Sequence, residues 1–129
     1  MSYISYIINM KYTIIMYEDR KGNCEVKDFI LKCDSKMKAK ILAYMDILEE
    51  KGPQTREPVS EHLDDGIFEL RCKVSSNITR ILYFFVEGKR IVMTNGFVKK
   101  TRKTPRSEIE LAKKRRKDFL ERSDKDDHI

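Results

Sequence analysis

Three strand-like stretches follow one another between Ile67 and Val98, separated by only three residues each time. A crossover between parallel strands needs about a dozen residues or more, so links this short force neighbouring strands to run antiparallel. The first stretch, Ile67–Val74, alternates cleanly. Phe68, Leu70, Cys72 and Val74 fall on one face, and Glu69, Arg71 and Lys73 on the other. That period marks a half-buried strand. The second, Ile78–Val86 (ITRILYFFV), is almost wholly apolar, as a central strand must be. The third is Arg90–Val98 (RIVMTNGFV). The turns Ser75-Ser76-Asn77 and Glu87-Gly88-Lys89 close a meander.

Upstream, Lys11–Tyr17 (KYTIIMY) is β-branched and aromatic and predicts another strand. A polar turn, Glu18–Asn23, follows. Val26, Phe29, Ile30 and Cys33 then repeat at helical spacing, giving a short helix. Asp34 or Ser35 can cap a second helix with the stripe Met37, Ile41, Tyr44 and Leu48, ended by Gly52-Pro53. Gln54–Leu63 reads as a loop and Asp64-Asp65-Gly66 as a turn. Thr104 is a candidate cap for a last helix, with Pro105 at its first position and a thin stripe of Ile109, Ala112 and Phe119. The order strand, two helices, three strands, helix predicts an α+β fold: an antiparallel sheet with the two N-terminal helices on one face and a basic C-terminal helix.

With 40% hydrophobic and 37% charged residues, the 129-residue chain has enough apolar content for one core under a charged surface, and not for two. The expected domain is 10–122, with an N-terminal extension over 1–9 and a frayed polar tail over 123–129. No apolar run is long enough for a bilayer, and MSYISYIINM lacks the basic start of a signal peptide. Cys24, Cys33 and Cys72 are odd in number and scattered, which points to reduced thiols and a cytoplasmic protein, with no disulfide framework and no metal site.

Charge is distributed unevenly. Glu18–Asp65 carries nine Lys/Arg against twelve Asp/Glu, whereas Lys89–Lys117 carries twelve against two. The basic segment suits a polyanion, or else is a solvated charged helix. Two arginines stand out. Arg71 projects from the polar face of its strand, and Arg80 interrupts the most apolar strand. A guanidinium placed there needs an anion: a phosphate, or an acid such as Glu69. Alternation groups Arg80 with Leu82 and Phe84, opposite Ile81, Tyr83 and Phe85. The second set packs under the helices, so Arg80 is expected on the open face. Lys99, Lys100, Arg102 and Lys103 lead into the last helix, as phosphate ligands or as a solvated turn. His62 sits in a loop and His128 in the tail; Cys72, Tyr83 and Phe97 read as core. No P-loop, dinucleotide-binding, HExxH or GxSxG pattern occurs.

The segments LDDGIFELR (Leu63–Arg71), TRILYFF (Thr79–Phe85) and TNGFVKKTRKTP (Thr94–Pro105) together resemble the RelE-like toxins of toxin–antitoxin systems, nearest to the phage-derived, HigB-type branch. The resemblance spans roughly residues 10–120. It implies a RelE-like fold and a metal-independent, cofactor-free, ribosome-dependent mRNA endonuclease that inhibits translation. In that chemistry the RNA's own 2′-OH attacks. The enzyme aligns it and stabilises charge on the phosphate. On this view Arg80 and Arg71 meet phosphate oxygens. Lys99 or Lys100 stabilises the transition state or moves a proton, and Glu69 is a base or an orienting partner for Arg71. Lys73, Arg102, Lys103, Lys113, Lys114, Arg115 and Arg116 hold RNA. Implied partners are the ribosome, mRNA and a separate HigA-type helix-turn-helix antitoxin. Two other readings fit: a ParE-like inhibitor of DNA gyrase and a non-catalytic basic RNA-binding module.

Overall fold

The computed structural model describes residues 11–127, and side chains as far as Ser123. Residues 1–9, read as an extension, lie outside the described residues. The elements are β1 (Thr13–Met16), α1 (Glu25–Lys32), α2 (Ser35–Lys51), a single 3₁₀ turn (Gly52–Gln54), β2 (Ser60–Asp64), β3 (Ile67–Val74), β4 (Asn77–Val86), β5 (Arg90–Val98) and α3 (Arg106–Asp127). The last helix passes Ser123, where the sequence places the start of a polar tail. No described helix is long and apolar enough to cross a membrane.

One five-stranded sheet, ordered β1-β5-β4-β3-β2, organises the molecule. The meander β3-β4-β5 is antiparallel as its short links require. Three expectations need correction. The sheet is mixed, because β1 runs parallel to β5, with Ile14 opposite Ile91 and Met16 opposite Met93. Alternation reads the same in either direction, and the direction of β1 depends on the helical connection after it. The second correction is β2, which occupies part of the segment read as a loop. Its residues, SEHLD, are polar because it is an edge strand that pairs through its backbone with β3.

Helices α1 and α2 pack on one sheet face. Val26, Ile30, Met37, Ile41 and Leu48 meet Leu70, Cys72, Ile81, Tyr83, Ile91 and Met93 there. Asp34 caps α2 by accepting the Met37 N–H at 2.8 Å. The approach of α1 requires Gly96 in β5, where a Cβ atom would stand 2.6 Å from the Phe29 ring. The third correction is the other face, which is not open as the sequence reading expects. Ala112 of α3 covers it, packed with Tyr17, Ile67, Leu82, Phe84 and Val92. Tyr17 also donates its hydroxyl to Asp118 at 2.6 Å, tying β1 to α3.

Candidate functional site

The register of β3 and β4 sets Arg71 directly opposite Arg80. Like charges in that position repel, and Glu69, on the same face of β3, offsets the repulsion. Arg80 Nη1 donates to both Glu69 carboxylate oxygens, at 2.9 and 3.0 Å. The pair is almost sealed from solvent, with Arg80 3% and Glu69 1% exposed. Thr104 completes it: its hydroxyl accepts from Arg80 Nη1 at 3.1 Å and donates to Glu69 Oε1 at 2.9 Å. Of the two partners open to Arg80 from sequence, the fold supplies the acid. The guanidinium is not fully consumed, because its Nε–H is buried without a hydrogen-bond partner.

Around this buried pair lies a more accessible ring of charge. Arg71 is met by Glu61 at 2.8 Å, Glu57 at 3.8 Å and Glu69 at 3.9 Å. Lys99 leaves the end of β5, where its backbone N–H reaches the Ile78 carbonyl at 2.8 Å. Burial, reinforced by the nearby Arg80 and Arg71 charges, holds its ammonium pKa below the usual lysine value.

Two clefts open over the array, of about 490 and 450 Å³, and both include Arg71 and Arg80 in their walls. Lys73 and Lys99 line the first, Arg102 and Lys103 the second. Six cations thus face three carboxylates, Glu57, Glu61 and Glu69, and Glu69 is committed to Arg80. Such a surface can bind a polyanion and concentrate positive potential where phosphate charge develops. A third cleft of about 470 Å³ lies between α3 and the turn after β1. It too has more cations than acids, Arg20, Lys21, Lys114 and Arg115 against Asp19 and Asp118, but no arginine pair in register across two strands. Asp118 there is already held by Tyr17 and Arg20, and Asp19 by the backbone of Lys21 and Asn23.

The remaining candidates separate. Lys100 is exposed and lines neither charged cleft. Lys113 is bound to Asp64 at 2.8 Å, Arg115 to Glu25 at 2.6 Å and Arg116 to Asp65 at 2.9 Å. Lys114 is exposed on α3 and lines the third cleft. His62 is exposed at the second charged cleft, with Nε2 accepting the Gly66 N–H at 3.2 Å. Burial pushes the Cys72 thiol and the Tyr83 hydroxyl each up to about 12, and both belong to the core. Phe97 is partly buried against the core cluster on the α3 side of the sheet. Among the described residues, no cluster of three or more His, Cys, Asp or Glu side chains is placed to hold a metal ion. Sequence reasoning missed Thr104 as a site residue, since its place before Pro105 signals a helix cap. It also missed Glu57 and Glu61, which come from the segment read as a loop.

A family profile described as "Phage derived protein Gp49-like (DUF891)" matches residues 28–117, a span that contains every residue lining the two charged clefts. No curated protein matches the chain.

Proposed function

The chain belongs to the Gp49-like family of phage-derived proteins, and from that premise we propose that it is the toxin of a toxin–antitoxin pair, a RelE-like mRNA endonuclease of the HigB type acting in the cytoplasm on ribosome-bound messages. One observation carries the reading: Arg71 and Arg80, paired in register across β3 and β4, line two cationic clefts, and the larger also holds Lys99, whose ammonium pKa is lowered.

The chemistry suits a site rich in cations. The RNA 2′-OH attacks the adjacent phosphorus; the 2′-O–P bond forms, the P–O5′ bond breaks, the leaving 5′-oxygen takes a proton from water, and a cyclic phosphate and a free 5′-hydroxyl result. Arg71 offers its fork to the phosphate oxygens, displacing Glu61 and Glu57. Lys99 lies beside Arg71 and is the group we assign to take the 2′-OH proton, a role that a lowered ammonium pKa favours. Arg80 adds charge from beneath. Glu69, engaged by Arg80 and Thr104, acts as a positioning residue. The ribosome contributes in-line alignment of the message. A separate helix-turn-helix antitoxin inhibits by covering the clefts.

The test is induction of the chain without a partner, followed by primer-extension mapping of messages and pulse labelling of protein, RNA and DNA synthesis. Cuts inside translated frames, lost in Arg71→Ala and Lys99→Met, support the proposal. Intact messages with an early collapse of DNA synthesis overturn it in favour of gyrase inhibition.

A further inference from the structure

The larger charged cleft has a wall that phosphate chemistry does not use. Besides Arg71, Lys73 and Lys99, its lining includes Tyr44, Pro58 and Ile78. Tyr44 belongs to α2, which packs on the far side of the sheet, yet it reaches this cleft round the outer edge of β3. The edge is accessible because β2 begins at Ser60, opposite Leu70. The Arg71 N–H still finds the Val59 carbonyl at 2.9 Å, and from Cys72 onward no strand flanks β3 on that side among the described residues. The Tyr44 side chain is half-buried against the α2 core, which fixes its ring. Lys40 adds a further cation, its Nζ 4.8 Å from the ring centroid.

We infer that this cleft is a nucleotide subsite in which an unpaired RNA base rests against Tyr44, Pro58 and Ile78 while its phosphate meets Arg71 and Lys99. The inference rests on the endonuclease reading and adds the element that seats the base. Its logic is one of size and adjacency. A volume of about 490 Å³ encloses one nucleotide-sized ligand, not a helix. Aromatic and apolar groups line the same cleft as the cations, so base and phosphate can be satisfied together. Aromatic side chains bind unpaired bases because every base presents a π face, which in a duplex is buried by stacking.

The test is fluorescence anisotropy with the full chain and two short single-stranded oligoribonucleotides, 2′-O-methylated throughout so that neither is cut. One carries bases and the other is abasic. Tyr44→Leu should weaken the base-carrying strand about tenfold, and Tyr44→Phe should restore it to within about twofold. The abasic strand should bind all three proteins alike, with circular dichroism confirming the fold of each. If the parent binds RNA and Tyr44→Leu either matches it on the base-carrying strand or weakens both strands equally, the subsite is overturned and the endonuclease reading stands. If the parent binds neither strand and cuts no message, both fall.

Discussion

Replacing Glu69 by Leu should destabilise the protein far more than replacing Glu69 and Arg80 together. The reason is the burial of the pair, with Arg80 3% and Glu69 1% exposed and two hydrogen bonds of 2.9 and 3.0 Å between them. Removing one partner of such a pair leaves an uncompensated charge in a site that water does not reach, at a cost of about 3–5 kcal/mol. Against a typical domain stability of about 5–15 kcal/mol, either single variant gives up a large share of the fold. Removing both charges with apolar groups of similar volume also removes both desolvation penalties, so Glu69→Leu/Arg80→Met should lie near the parent or above it. Urea unfolding followed by circular dichroism reads the difference as a shift in midpoint at constant slope. A coupling energy of several kcal/mol is expected from the cycle. Additive singles, with a coupling under about 0.5 kcal/mol, would refute the view that the two charges are a buried unit. The same reasoning makes Arg80→Ala a poor probe of activity, since loss of arrest would mix loss of function with loss of fold. Arg71 and Lys99, both partly exposed, are the cleaner positions.

Because the Lys99 ammonium is held below the ordinary lysine value of 10.5, single-turnover cleavage on programmed ribosomes should rise with pH and level off below that value. Lys99→Arg, which does not titrate, should flatten the rise; an unchanged profile in that variant would remove Lys99 from the proton path. Gly96→Ala should cost about 1–3 kcal/mol, because the added methyl meets the Phe29 ring at 2.6 Å and α1 must shift; an unchanged urea midpoint would show that it can shift freely. Removing Arg102 and Lys103 together should reduce the salt dependence of single-stranded RNA binding by about 0.7 per lost phosphate contact. Removing Lys113 and Arg116 should leave that slope intact and lower the urea midpoint, because both are tied to the turn before β3.

The meander and its faces were readable because alternation and turn length are local. Phe68, Leu70 and Cys72 have to share a side whatever the rest of the chain does, and three-residue links permit little but hairpins. The direction of β1 was not readable, since Thr-Ile-Ile-Met presents the same faces to β5 in either sense. β2 was hidden because an edge strand is stabilised through its backbone and its sequence stays polar. Arg71 and Arg80 were legible as anomalies in their strands. What sequence could not supply was the third dimension of Arg80. Its face receives α3, more than twenty residues later in the chain, and with it the Thr104 hydroxyl.

The charge asymmetry takes on a different meaning once the chain is folded. The acidic segment from Glu18 to Asp65 and the basic one from Lys89 to Lys117 look from sequence like a neutral body with a cationic arm. In the fold they are complements. Glu25, Asp64 and Asp65 of the first receive Arg115, Lys113 and Arg116 of the second, and Arg106 joins Lys113 on Asp64 at 2.9 Å. These pairs hold α3 in register over the sheet, and the side of the helix that makes them is no longer available to a polyanion. The positive potential that survives lies where cations outnumber acids, at the two clefts around Arg71 and Arg80 and at the cleft between α3 and the turn after β1. Docking α3 also brings Thr104 onto the Arg80–Glu69 pair. The basic helix therefore serves the site chiefly by building its floor, and the cations an incoming phosphate can reach above it are Lys99, Arg102, Lys103 and, once it leaves Glu61 and Glu57, Arg71.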